Sequence, residues 1–288
     1  KPMVLMHLGS SGSNFSQWRN IANSSILITL DGNIKNNLQN HNFKKIINKK
    51  VIISNKNGRS NFYETKDPHC SSLLQPDKKI YTNWYGAHRF KIRKKVKTKV
   101  LSIDKFLKEN KINYIDWLII DIQGMDLKII KNLKKKIRSN ISIIDIEAGF
   151  FPFYKKEGKI SEIFNYFSEH FDFEDMKFGY NFKVNSKNIT NFEKKLLYLF
   201  NEPSKIYSNM TFLNKNVSKR NILLKMIYLT QKNKLFEVRE IINKKLKSDK
   251  HYKKLQYHIK KEINFKKLKF IFFAPILFLK KIFKYNVD

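Results

Sequence analysis

Short apolar runs and helix-like stretches alternate along the first two thirds of the chain. Apolar runs of strand length lie at residues 3–8, 25–30, 51–54, 117–122 and 141–146, with two more at 171–178 and 210–213. Apolar residues at helical spacing lie at 15–22, 102–110, 125–133 and 162–171. Strands that alternate with helices indicate βαβ units, so we predict an α/β fold with a doubly wound, mostly parallel sheet.

Two segments interrupt this alternation. Asn57 and Gly58 form a strong hairpin-turn signal, which predicts that residues 61–64 return against the strand at 51–54. Residues 68–99 are irregular and rich in turn formers and aromatic side chains, which indicates an inserted loop or β-excursion. The regular pattern resumes near residue 100.

Polar residues directly after the predicted strands are the candidate ligand-binding residues, because open parallel sheets bind ligands beyond the carboxyl ends of their strands. The first strand ends in a turn with Gly9 and Gly12, whose backbone N–H groups favour a carboxylate or phosphate. Asp31 ends the second strand and suits the two hydroxyls of a ribose. Glycine turns and Asp-Gly turns also occur without ligands, but the two in this order favour nucleoside binding.

Two later strands also end in carboxylates. Asp121 closes the fourth run, and Glu147 follows the fifth, two residues after Asp145 and on the same face. Asp121 and Glu147 are therefore candidate catalytic bases, with capping of the next helix as the alternative role for Asp121. His88 in the insertion is a third candidate base, although an ordinary surface histidine is the simpler interpretation.

Cysteine and motif content exclude several kinds of site. The single cysteine, Cys70, rules out an internal disulfide and fits a reducing compartment. It has no second cysteine beside it, so we predict no metal. No pattern indicates a Ser-His-Asp relay or a nucleotide P-loop.

The charge of the chain gives only weak support to a nucleic-acid partner. The 288 residues carry a formal net charge of +34, but only seven of the 58 basic residues are arginine. Arginine forms the bidentate contacts that phosphate sites favour, so solvated lysine faces are the better interpretation. Nucleic acid stays open as an alternative partner.

The last quarter of the chain differs from the rest. Residues 214–288 hold 21 Lys or Arg and five Asp or Glu, a net of +16, and helical spacing dominates. We therefore predict an α/β domain at 1–213 and a basic helical extension at 214–288. Within it, the ten uncharged residues 270–279 are too few to span a bilayer. Their flanking lysines predict an anionic membrane surface bound through 265–288, with docking on the domain or a partner as the alternative.

Four segments together resemble FkbM-type methyltransferases. Residues 117–130 (WLIIDIQGMDLKII) are similar to the family signature of an apolar strand, Asp, Gln or Glu, Gly, an acid and a Leu-rich helix. Residues 7–13 (HLGSSGS) resemble the first, cofactor-binding motif. Residues 53–63 with 71–73 resemble the third-strand and hairpin region, and 146–148 with Pro152 and Tyr154 the stretch after the fifth strand. The resemblance covers roughly residues 3–213.

The resemblance implies a Rossmann-like class I methyltransferase that moves a methyl group from S-adenosylmethionine to a hydroxyl of a small molecule or glycan. The first turn would border the methionine part of the cofactor, through His7, Gly9, Ser10, Ser11 and Gly12. Asp31 would hold the ribose, Ser54 and Asn55 would flank the adenine, and Asp121 would face the methyl-transfer region.

Two residues depart from the family pattern. His7 stands where an acid usually opens the first motif, and Ser13 stands where a glycine usually ends it. A neutral imidazole can still hydrogen-bond the cofactor's ammonium. The departures leave open a degenerate, non-catalytic copy that serves as a membrane-associated scaffold.

Taken together, these features predict an S-adenosylmethionine-dependent O-methyltransferase, with an RNA methyltransferase or the non-catalytic scaffold as alternatives. We expect it in the cytoplasm, peripheral on the inner membrane face. The chain begins at Lys1 rather than at methionine, so we expect a fragment or a processed form.

Overall fold

The computed structural model describes residues 1–11, 13, 15–33, 42–185, 189–216, 218–246 and 253–266. The chain divides into two compact units, residues 1–216 and 217–288. The first unit carries the sheets, and the second is helical wherever it is regular within the described residues.

The strands of the first unit form two sheets. They are β1 (Met3–Leu8), β2 (Ser25–Asp31), β3 (Lys45–Lys50), β4 (Ile52–Ile53), β5 (Gly58–Thr65), β6 (Ile92–Leu101), β7 (Trp117–Ile120), β8 (Ile143–Gly149), β9 (Phe171–Asn181) and β10 (Ser204–Asn214). A seven-stranded sheet has the order β3-β2-β1-β7-β8-β10-β9, and a small sheet has the order β4-β6-β5. In the large sheet β10 alone runs in the direction opposite to the other six strands. The predicted α/β class with a mostly parallel sheet is thereby confirmed.

The helices alternate with these strands. They are α1 (Lys78–Tyr81), α2 (Ile103–Glu109), α3 (Asp126–Asn132), α4 (Lys135–Arg138), α5 (Ile160–Ser168), α6 (Asn191–Phe200), α7 (Lys219–Gln231), α8 (Leu235–Lys245) and α9 (253–266). Short 3-10 helices lie at Ser16–Ser24, Pro68–Cys70 and Ala87–Phe90. The hydroxyl of Ser102 accepts a hydrogen bond from the Lys105 N–H at 3.3 Å and starts α2, close to where the sequence predicts it.

The helix predicted at 15–22 is present, as the 3-10 helix Ser16–Ser24 rather than as an α-helix. Phe15 precedes it in the left-handed region, with φ of 53°.

The predicted hairpin between 51–54 and 61–64 is wrong. Strand β6 lies between β4 and β5, parallel to β4 and antiparallel to β5. The N–H of Ser54 donates to the carbonyl oxygen of Leu101 at 2.9 Å, which holds the end of β4 on β6. The third strand of the large sheet is therefore β3, and the supposed irregular insertion contains the ten-residue strand β6.

The second unit consists of α7, α8 and α9 within the described residues. The hydroxyl of Ser218 caps α7 by accepting from the Asn221 N–H at 3.3 Å. No helix of the described part of the chain is long and apolar enough to cross a membrane. The lysine-flanked segment 270–279 lies outside the described residues, so the membrane surface predicted for 265–288 stays a prediction.

Candidate active site

The turn after β1 packs directly against the turn after β7. Gly9 has φ of +74°, and a Cβ built on it would lie 1.7 Å from the carbonyl oxygen of Asp121. The Gly9 N–H donates to the carbonyl oxygen of Leu30 at 3.0 Å, and the Asp121 N–H donates to that of Leu8 at 3.1 Å. Only glycine permits this approach, and it brings the carboxyl ends of β1, β2 and β7 together.

Asp31 ties the end of β2 to the turn after β1. Its carboxylate accepts a hydrogen bond from the Ser11 N–H at 3.0 Å and from the Asn33 N–H at 2.6 Å. Each carboxylate oxygen has room for a second donor, so the half-buried side chain can also accept from two hydroxyls. Ser10 is buried beside it, whereas Gly12 lies outside the described residues.

The turn after β7 holds Asp121 through a defined set of hydrogen bonds. The carboxylate of Asp126 accepts from the N–H groups of Ile122 and Gly124, each at 3.0 Å. Asp126, and not Asp121, is therefore the carboxylate that caps the N–H groups of this turn. The side-chain amide of Gln123 instead donates to Asp121 Oδ1 at 2.9 Å.

Asp121, Asp126 and Glu147 form a cluster of carboxyl groups that hold their protons more tightly than usual. Burial raises the pKa of Asp121 to about 6, and the charge of Asp31 adds to the effect. Burial and the charge of Asp121 raise the pKa of Asp126 to about 8. Glu147 has its pKa raised well above its usual range by burial first and then by these neighbouring carboxylates. A carboxylate in this state suits proton transfer near neutral pH.

Glu147 differs from the other two acids in its hydrogen bonding. It lies in β8 at the same edge as Asp121, and no donor among the described residues contacts its half-buried carboxylate. Asp145, two residues earlier, accepts from the indole N–H of Trp117 at 2.6 Å and from the hydroxyl of Thr211. Asp145 thus joins three strands, and Glu147 retains its acceptor capacity for a substrate.

A chain of side chains that only the fold brings together orients Asp121. The hydroxyl of Tyr154 lies 2.7 Å from Gln123 Oε1 and 2.9 Å from the carbonyl oxygen of Cys70. Donation to Gln123 Oε1 turns the amide so that its N–H group faces Asp121. The hydroxyl of Ser72 donates to the carbonyl oxygen of Gln123 at 2.7 Å and fixes the same turn from the insertion.

Two further side chains near the carboxylates were not predicted from the sequence. Tyr207, in β10, lies close enough to Glu147 and Asp121 that their charges, after burial, raise the pKa of its phenol. Its ring lies across Gly179, where a Cβ would be 2.1 Å from Tyr207 Cζ. His69, exposed on the Pro68–Cys70 turn, is near enough for its charge to act on the Asp121 carboxyl. Neither residue follows a predicted strand, so strand-end position does not reveal them.

His7 lies in an aromatic environment. Its ring meets the rings of Phe15 and Trp18 edge to face, with centroid distances of 5.7 and 6.3 Å. Its Nδ1 is buried without a hydrogen-bond partner among the described residues, and burial lowers the pKa of His7 to about 4. The imidazole is therefore neutral at physiological pH, which is the form required for the predicted contact with a cofactor ammonium.

His7 should make the stability of the first unit depend on pH. The unfolded chain takes up a proton near pH 6.5, whereas the folded chain does so only near pH 4. Stability is therefore lost as the pH falls through this window. Leucine takes up no proton, so His7→Leu should remove this loss. Below this window the unfolding free energy of the variant should exceed that of the parent by up to about 3 kcal/mol, at about 1.4 kcal/mol per pKa unit.

Urea titrations at a series of pH values measure this difference in unfolding free energy. His88→Leu, at an exposed histidine, is the control. Parallel pH profiles for the His7 variant and the parent would contradict the assignment of a buried, neutral His7.

Ser54 and Asn55 occupy a separate corner of the same edge. Ser54 is buried, its hydroxyl lies 3.3 Å from Asn55 Oδ1, and its N–H is used by β6. Asn55 is exposed. Val51 donates its N–H to the carbonyl oxygen of Asp31 at 2.9 Å, so the chain enters this corner directly from the end of β2.

Comparison with known proteins identifies the family. The model of the methyltransferase FkbM domain matches residues 16–180, which is more than half of the chain and confirms the resemblance found in the sequence. The match begins after the divergent first motif at 7–13. No curated protein and no solved structure matches the chain. The chain belongs to the FkbM methyltransferase family.

Proposed function

We propose that this methyltransferase is a class I, S-adenosylmethionine-dependent enzyme that methylates a hydroxyl of a small molecule or glycan. The observation that carries the proposal is the contact of Gly9 with Asp121 at an edge that also holds Asp31 and Glu147. This arrangement supports the proposal because a polar turn, a carboxylate suited to ribose hydroxyls and a candidate proton acceptor lie at one edge.

The charges at this edge fit the cofactor. The charge of Asp31 adds to the burial that raises the pKa of Asp121, and the charge of Asp121 adds to the burial that raises the pKa of Glu147. A ligand with a sulfonium and an ammonium group would offset this repulsion. Asp31 would accept from the ribose hydroxyls, the turn at Gly9–Ser11 would border the methionine part, and Ser54 and Asn55 would flank the adenine.

The chemistry assigned to the protein is positioning and proton removal. When bound, the cofactor supplies an electrophilic methyl group. Glu147 would accept the proton of the acceptor hydroxyl, because its carboxylate has free acceptor capacity and a raised pKa. Asp121, fixed by Gln123, would hold the acceptor, and the phenol of Tyr207 borders the same space.

Asp31→Ala tests the cofactor site. Calorimetry with S-adenosylhomocysteine should show binding by the parent and a loss of about 1–3 kcal/mol in the variant, because charge-assisted bonds to the ribose are removed. Asp31→Asn retains the side-chain shape and guards against an effect through the Ser11 turn. Glu109→Ala, at an exposed acid of α2, is the control and should bind like the parent. If the parent does not bind S-adenosylhomocysteine, the proposed enzymatic function is refuted and the non-catalytic scaffold is favoured.

A further inference from the structure

One face of the two-stranded ribbon β5–β6 is a row of exposed cations. The register pairs Arg59 with Lys99, Asn61 with Lys97 and Tyr63 with Lys95. Side chains of directly paired residues project to the same side of an antiparallel ribbon. We call this side the basic ribbon face, and its members are Arg59, Asn61, Tyr63, Lys95, Lys97 and Lys99.

The cations of the basic ribbon face have no compensating charge on it. All four are exposed, and none forms an ion pair within the described part of the chain. Glu64, the acidic residue of this ribbon, lies across from Lys94 in the strand register, and both side chains project to the opposite side. Arg59 stands directly across from Lys99, an arrangement of like charges that destabilises a ribbon unless an anion is bound. The face therefore carries a concentrated and uncompensated positive charge.

The shape of the face favours a linear anion. Lys95, Lys97 and Lys99 follow one another along one strand at intervals of about 6.8 Å. The face has no exposed large apolar side chain to insert into a lipid surface. Its aromatic ring, Tyr63, is half-buried with the Lys95 ammonium 5.7 Å from its centre, which leaves no open platform for base stacking. A charged saccharide chain needs neither feature.

The basic ribbon face also leads to the candidate active site. The backbone of Tyr63 pairs with that of Ser72, whose hydroxyl donates to the turn that orients Asp121. We propose that the basic ribbon face docks an anionic glycan and that this glycan carries the hydroxyl to be methylated. Its role as methyl acceptor rests on the proposed function, whereas the docking itself does not.

Binding of labelled polyanions to the full chain tests the docking. The test variant is Lys95→Gln, Lys97→Gln and Lys99→Gln combined. The matched control combines Lys108→Gln, Lys135→Gln and Lys136→Gln, three exposed lysines of α2 and α4. Fluorescence anisotropy with a labelled oligogalacturonate should show about tenfold weaker binding for the ribbon variant, at a fraction of a kcal/mol per exposed ion pair. Its salt dependence should flatten, and the control should bind like the parent.

Three results would overturn the proposal. One is an equal loss in the control variant, which would assign the binding to overall charge. The second is tighter binding of single-stranded poly(U) than of the oligogalacturonate, and the third is tighter binding of vesicles containing phosphatidylglycerol. In either case the ribbon substitutions would weaken the binding of that probe alone. S-adenosylhomocysteine affinity, measured in parallel, should be equal in both variants. If the parent binds the oligogalacturonate but not S-adenosylhomocysteine, the proposed function is refuted and the docking site is retained.

Discussion

Gly9→Ala should destabilise the first unit by more than about 3 kcal/mol and abolish cofactor binding. The new methyl group would lie 1.7 Å from the carbonyl oxygen of Asp121, so the ends of β1 and β7 would have to separate. A side chain at φ of +74° adds a backbone cost of about 1–3 kcal/mol. The two effects together exceed the range of ordinary single substitutions.

Gly86→Ala is the matched control for this collision. Gly86 also has φ of +74°, but a Cβ there would meet only Arg89 Cδ, at 3.6 Å. This variant should therefore show the backbone cost alone. Denaturant unfolding of both variants measures the difference. Equal losses would mean that the turn at Gly9 does not pack tightly on the turn at Asp121.

Glu147→Gln should lower the rate of methyl transfer by about 10²–10⁴-fold while leaving S-adenosylhomocysteine affinity nearly unchanged. Glutamine keeps the size of the side chain but cannot accept the hydroxyl proton. Asp121→Asn should likewise lower transfer more than cofactor affinity, because it removes the carboxylate proposed to hold the acceptor. Glu109→Gln, at the exposed end of α2, should behave as the parent.

The pH dependence of the parent enzyme gives an independent readout. A carboxyl base works only when deprotonated, so the rate should fall as the pH drops through the raised pKa of Glu147 and that of Asp121, about 6. Release of S-adenosylhomocysteine in the presence of an oligosaccharide acceptor measures the rate. If Glu147→Gln retains the parent's turnover and pH profile, Glu147 has no part in proton transfer.

The arrangement of strands around the candidate site follows largely from local sequence. β1, β7 and β8 are apolar runs because the central strands of a parallel sheet are covered on both faces. Asp31, Asp121 and Glu147 each stand where such a run ends, so their common edge follows from parallel packing alone. Gly9 was predicted as a turn residue on the same grounds.

The small sheet and the surroundings of Asp121 depend on tertiary structure. Residues 95–100 of β6 alternate lysine with valine or threonine, a period-2 signal that the irregular composition of the surrounding insertion obscured. Its choice of β4 and β5 as partners is a long-range contact that a turn signal at Asn57 and Gly58 cannot specify. Tyr154 meets Gln123 only because the segment after β8 folds back over the turn after β7.

His7 and Tyr207 show the same division. The apolar run at 3–8 predicts that residue 7 lies in a strand, but its pKa of about 4 depends on Phe15 and Trp18 closing over it. Tyr207 reaches Glu147 because β10 pairs with β8, and because Gly179 in β9 leaves room for the ring. Periodicity indicates which side of an element is buried, whereas the proton affinity of a buried group depends on the residues of other elements that cover it.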